Sequence, residues 1–426
     1  MALAQRIEEI RSGFERPFWV ANFTEIFERV AYYGTTAVLA IYLTEQLHFP
    51  AERATSILGI AGFVVYAVSI LAGTLADRYG FRPTLLCAFL LLTVGYFLLG
   101  SLETSWMAPL RRAIGDTWLV SVVLLIPSLG PGLVKPCVVG TTARASTENV
   151  RSLGYSIYYT LVNIGGAAGP FVAWLVRRKL GLGIENVFRV AALSVFLMFW
   201  VTLFLYREPR RSGDANVESV ATALKNMFIV LGNLRYVAFL LISSGFYIVY
   251  WQIFLSMPIF TRRYVNPNAD VDRILSLEGL TVICFQILVA YLTRRIPSVQ
   301  TISLGFLLSA FSWILLAVHP SVFMVGVMLV VLALGELTQA SRYYEYCSRL
   351  APPEQQGLYM GYAFLPIAIG YAVGGKLGGR LLHVFGEVLH RPAEMWWVVC
   401  EIGVLTAALM WLYDRIVRPV APGISN

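Results

Sequence analysis

Twelve runs of mostly apolar residues, each about 20 long or more, decide what this chain can fold into. At a rise of about 1.5 Å per residue, each is just long enough to cross a hydrocarbon core. The runs fall at roughly 17–45, 54–76, 82–101, 113–140, 152–177, 187–206, 228–260, 273–293, 299–318, 321–349, 357–385 and 394–417. Lipid offers no partner for backbone N–H and C=O groups, so each run must satisfy them internally as a helix. The fold class is therefore an all-α polytopic membrane protein with twelve transmembrane helices. The longest polar stretch, 207–227, is rich in Gly, Pro, Ser and mixed charge and reads as a linker. It separates two six-helix bundles, 17–206 and 228–417, the layout of a repeated pair around a central cavity. Residues 1–16 read as a cytoplasmic lead-in and 418–426 as a cytoplasmic tail.

Composition agrees: 58% of the 426 residues are hydrophobic and 14% are charged, against about 25% charged in a soluble globular chain. The net charge of +8 is spread over many short loops, with no basic face for a nucleic acid. An even span count puts both ends on one side. That side carries Arg6, Arg11, Arg16, Arg78, Arg82, Arg144, Arg151, Arg207, Arg210, Arg211, Arg294, Arg295, Arg415 and Arg418. Arg177, Arg178, Lys179, Arg262 and Arg263 fall on the other. The more basic side is cytoplasmic, which predicts a plasma (inner) membrane protein with both termini inside. The five cysteines are widely spaced within apolar runs, with neither a disulfide framework nor a metal-ligand pattern, and read as small buried hydrophobes. No HExxH, GxSxG or soluble catalytic domain points to an enzyme.

Ionisable residues inside the spans carry the most information, because each costs about 2.5–3.5 kcal/mol near mid-bilayer unless it faces a cavity or a partner. The first span has Glu25, Glu28 and Arg29, neighbours on one helix surface, with Tyr32 continuing the face and Tyr33 following Arg29. Two acids against one cation leave a surplus carboxylate, which suits proton coupling; the bland alternative is a self-neutralising salt-bridge cluster. The fourth span has Lys135 in GPGLVKPCV, where Gly130, Pro131, Gly132 and Pro136 predict a bend. Lys135 is a partner for Glu28 or an anionic substrate group, or else it snorkels to the surface. Glu336 lies deep in the tenth span, and Glu278 in the eighth faces either the cavity or the outer interface. His48, His319, His383 and His390 all lie at outer span ends, so carboxylates and not imidazoles would carry protons. Asp77 and Arg78, in AGTLADRYG between the second and third spans, read as a gating latch.

These residues resemble the proton-dependent oligopeptide transporter family within the major facilitator superfamily. Glu25-Ile-Phe-Glu28-Arg29 with Tyr32-Tyr33-Gly34 resembles its ExxER…YYG signature, and GPGLVKP its GxGxxKP. IYYTLVNIGG is similar to its FYxxINxGS, and GELTQAS…GLYMGYAFL to its tenth-to-eleventh hairpin. The resemblance implies a major facilitator fold and proton-coupled uptake of di- and tripeptides or a related amine-bearing solute by alternating access. The proton would be the coupling ion, with no other cofactor, and the protein monomeric in the bilayer. It implies proton coupling by Glu25, Glu28, Arg29, Lys135 and Glu336. It implies a substrate pocket of Tyr32, Tyr33, Thr36, Tyr66, Lys135, Tyr159, Asn163, Gln252, Glu278, Glu336 and Ala363.

Four positions depart from that pattern. Thr36 stands where the family carries a second arginine, Glu278 where SLNP has its amide, Ala340-Ser341 replaces Ser-Pro, and Ala363 replaces a tryptophan. The coupling residues are kept while the pocket becomes more anionic by two charges, which predicts a peptide of altered chemistry or a more cationic solute. A competing expectation is a proton-coupled antiporter exporting drugs or lipids, which Gly165…Gly169-Pro170 faintly resembles.

Overall fold

A computed structural model describes residues 13–209, 229–352 and 355–417, and eleven of its helices are long and apolar enough to span a membrane. The twelfth is the first, α1 (Arg16–Ile41), whose 26 residues suffice but whose buried Glu25, Glu28 and Arg29 spoil its apolar average. The others are α2 (Ala51–Tyr79), α3 (Phe81–Leu99), α4 (Asp116–Arg144), α5 (Glu148–Lys179), α6 (Ile184–Leu205), α7 (Leu234–Leu255), α8 (Val271–Thr293), α9 (Ser298–Val318), α10 (Val322–Leu350), α11 (Leu358–Val388) and α12 (Pro392–Ile416). The twelve-helix expectation holds. Large apolar side chains such as Phe204, Ile287 and Phe323 stand more than 70% exposed on these helices, as a lipid-facing surface requires.

By its contacts the chain divides into two compact units. One holds the described parts of 1–39 and 64–223; the other holds 40–63 with the described parts of 224–426. Within the first unit α3 packs against α4 and α6; within the second α9 packs against α10 and α12, the same pairing six helices on. Helix endings repeat as well: wide π turns close α1 (Tyr42–Gln46), α5 (Leu175–Lys179) and α11 (Leu382–Val388) and follow α7 at Thr261–Val265. The first and seventh helices thus share an ending, and so do the fifth and eleventh. A repeat that the residue identities conceal is present in the backbone.

Small residues set the tightest crossings. A Cβ added to Gly34 of α1 would meet the Gly169 carbonyl oxygen of α5 at 2.8 Å, and one on Gly169 would meet the Gly34 nitrogen at 2.7 Å. Gly165, one turn earlier on α5, lies against the Cβ of Arg29. The Gly165/Gly169 pair is therefore a GxxxG packing face that seats α1, buried charges included. The glycines and prolines expected to bend α4 do not end it: Asp116–Arg144 is one helix through Pro127, Pro131 and Pro136. The adjoining glycines serve close packing instead, since a Cβ on Gly132 would lie 2.6 Å from the Val65 carbonyl of α2. The cysteines also divide: Cys137, Cys347 and Cys400 are buried, but Cys87 and Cys284 are exposed. Helical phase puts those two on outward faces, which apolar context alone does not reveal.

Candidate functional site

Among the described residues, each unit holds a cluster of buried ionisable side chains. On α1, spacings of three and four bring Glu25, Glu28 and Arg29 onto adjoining turns. Arg29 Nε donates to Glu28 Oε2 at 2.6 Å and lies 3.2 Å from Glu25 Oε1. Both carboxyls are 0% exposed and Arg29 is 7% exposed. Charges this deep are tolerated only when paired. The pairing is unequal: Glu28 has a direct hydrogen bond, whereas neither Glu25 oxygen has one among the described residues. Lys135 of α4 acts electrostatically on Glu25 and Arg29, and Tyr33 and Tyr158 act on Arg29. The Arg29 guanidinium also sits 5.4 Å from the Tyr32 ring centroid. Of the expected coupling residues, the structure thus gathers Glu25, Glu28, Arg29 and Lys135.

The second cluster joins three helices of the other unit. The Tyr250 hydroxyl of α7 lies 3.1 Å from Glu278 Oε1 of α8 and 3.2 Å from Glu336 Oε2 of α10. Each carboxyl also acts electrostatically on the other. Glu278 therefore faces inward to Glu336, not the outer interface.

The remaining pocket candidates separate into open and closed positions. Tyr159 is 45% exposed, and Asn163 donates from Nδ2 to the Tyr159 carbonyl at 2.9 Å. Thr36 donates to the Tyr32 carbonyl at 2.7 Å, and Tyr66 is half-buried on α2. Gln252 and Ala363 are 0% exposed. Gln252 donates to the carbonyls of Ile248 and Gly374 at 2.9 and 3.0 Å and accepts from Ser256 at 2.5 Å. The Ala363 carbonyl accepts from Tyr343 at 2.7 Å. Both are enclosed in this structure. Asp77 pairs with Arg144 of α4 at 2.6 Å, while Arg78 turns to the Tyr79 ring at 5.6 Å.

Two participants escaped the sequence reading. Tyr158 was legible, since it lies seven and eleven residues before Gly165 and Gly169 and so shares the α5 face turned to α1. Tyr250 lies 28 residues from Glu278 and 86 from Glu336, outside every motif, and only the tertiary fold reveals it.

Two half-bundles with repeated helix pairing, and buried ionisable clusters in otherwise apolar spans, define the class as a polytopic membrane transporter. More specifically, the chain belongs to the Major Facilitator Superfamily, whose sequence model matches residues 21–268 and 268–425. It is 23% identical over 393 residues to multidrug resistance protein MdtH of Cronobacter sakazakii, covering 91% of each chain. It is 22% identical over 389 residues to the MdtH of Photorhabdus laumondii, covering 90% of this chain and 91% of that protein. Among solved structures it resembles the peptide transporter POT in complex with sulfate, with TM-score 0.76, 19% identity and coverage of 94% and 95%. It also resembles a POT family transporter in complex with 5-aminolevulinic acid, with TM-score 0.77, 18% identity and coverage of 95% and 97%. The fold is that of the POT transporters, and the chain is an integral membrane transporter, not an enzyme.

Proposed function

We propose that this protein is a proton-coupled symporter that imports di- and tripeptides, or a related small amine-bearing solute, by alternating access. The observation that carries this reading is the buried Glu25–Glu28–Arg29 cluster, in which one cation faces two carboxyls and Glu25 is held by charge alone. A carboxyl that gains a proton there loses its attraction to Arg29 and Lys135, and its α1 surroundings can reorganise. That proton, bound differently in two conformations, drives their interconversion. Lys135 holds the surplus acid or an anionic end of the solute. Glu278 and Glu336 offer an anionic surface to an amine, which matches a solute more cationic than an ordinary peptide. Structures of similar fold in complex with 5-aminolevulinic acid and with a thioalcohol-conjugated peptide support small amine-bearing solutes as the class. The working protein is a monomer in the inner membrane with both termini cytoplasmic, needing no cofactor beyond the proton.

The names of the relatives favour a second reading, a drug exporter exchanging protons. Direction of flux separates the two. In proteoliposomes with an inward proton gradient, the symport reading expects peptides or amines to accumulate inside together with protons. Glu28→Gln is expected to abolish gradient-driven uptake while solute exchange persists. Expulsion of solute against proton entry would replace symport with export.

A further inference from the structure

We propose that Tyr250 is a positioning residue that holds Glu278 and Glu336 as a carboxyl pair sharing one proton, so that the second unit carries a proton-holding group of its own. The argument begins with donors. A tyrosine hydroxyl has one proton and therefore donates once. Yet the Tyr250 oxygen lies 3.1 Å from one carboxyl and 3.2 Å from the other, both hydrogen-bonding distances. Two ionised carboxylates are acceptors only, so the second contact is made when one of them carries a proton and donates it to the tyrosine oxygen. The two contacts of Tyr250 are satisfied by two protons, the hydroxyl's and one more.

The titratable groups acting on Glu278 are Glu336 and Tyr250, and those acting on Glu336 are Glu278 and Tyr250; no cation is among them for the described residues. Lys376 and Arg380 of α11, which packs against α7, and Arg349 of α10 are exposed. Arg342 of α10 pairs with Glu345 at 2.8 Å and donates to the Thr293 carbonyl at 3.3 Å, and Arg273 of α8 is exposed. On α8, Asp272 is buried and receives the Arg273 backbone N–H at 3.1 Å. Two like charges this close, without a counter-ion, do not both ionise. Tyr250 keeps the carboxyls of α8 and α10 in register from a third helix, and releasing the proton, or replacing it with a solute cation, changes how those three helices are joined.

This inference adds a group to the transport reading but is tested without solute, so either can fail alone. The full chain in liposomes is titrated with acid and base while infrared difference spectra record the C=O band of protonated carboxyls. The expected result is a titrating band that is lost in Glu278→Gln and in Glu336→Gln and is retained in Glu25→Gln. Tyr250→Phe keeps the band but moves its midpoint by about one pH unit. Thermal unfolding of each variant in detergent verifies folding, and Glu278→Asp, which keeps a carboxyl, restores the band should Glu278→Gln misfold. A band unchanged in folded Glu278→Gln or Glu336→Gln overturns the shared proton. A midpoint unmoved in Tyr250→Phe overturns the positioning role.

Discussion

The two buried clusters neutralise their charge differently. On α1, Glu25 and Glu28 have Arg29 built into the same helix one turn or less away, and Lys135 within electrostatic reach. Between α8 and α10, Glu278 and Glu336 have a tyrosine hydroxyl and each other. The first cluster carries its counter-ion permanently, so a proton there alters how strongly parts of the first unit hold one another. Among the described residues no cation acts on the second, so on the reading proposed above a proton or a solute cation from solution would neutralise it. On that reading, similar acids serve different roles: coupling where a cation is built in, recognition where it is not.

The largest expected effect comes from erasing that difference. Arg29→Gln leaves Glu25 and Glu28 buried without their bonded cation, and stranding a buried charge costs about 3–5 kcal/mol. Thermal unfolding in detergent should fall accordingly, and gradient-driven uptake in proteoliposomes should vanish. Retained uptake with near-normal stability would mean that Lys135 alone balances both acids.

The converse change is smaller. Glu278→Gln removes one acid from the cation-free pair and should weaken transport of a cationic solute about tenfold, roughly 1.4 kcal/mol, relative to a neutral analogue. Competition uptake with the two solutes reads the ratio. An equal loss for both would show that Glu278 does not sense the solute's charge.

Why one cluster was legible in the sequence and the other only half so follows from chain distance. Glu25, Glu28 and Arg29 are neighbours on one helix, and a spacing of three and four is enough to join them. Glu278 and Glu336 stood out as ionisable residues in apolar spans, but their contact through Tyr250 is a product of three packed helices. The same logic separates Gln252 and Ala363, which the resemblance placed in the pocket, from their packed positions here. Each is fully enclosed by partners on other turns or helices, which a motif match does not record. Span number needed only apolar length, and α1 was recognisable despite its charges. On α4, where Gly and Pro led to the expectation of a bend, the helix runs unbroken and its glycines admit close neighbours.

The seat of the first cluster gives a third test. Gly169→Val places a side chain where the Gly34 backbone already lies at 2.7 Å, so α1 must move away from α5 at about 1–3 kcal/mol. Gly166→Ala, where an added Cβ meets only the Tyr33 ring at 3.8 Å, should leave stability unchanged. Equal tolerance of both would mean that α5 does not fix Arg29.

The smallest effect is expected where the same chemistry meets water. Asp77 and Arg144 approach to 2.6 Å, as close as Glu28 and Arg29, but their side chains are 54% and 26% exposed. Water already solvates both partners, and salt screens what attraction remains. A double-mutant cycle of Asp77→Asn and Arg144→Gln, read by thermal unfolding, should therefore give a coupling of about 0–1 kcal/mol that declines as salt is added. The Glu28–Arg29 cycle should be several times larger and insensitive to salt, because burial and not distance separates the two pairs. A large, salt-independent Asp77–Arg144 coupling would show that this pair is shielded when the protein works, and would move it from a surface contact to a latch that transport must break.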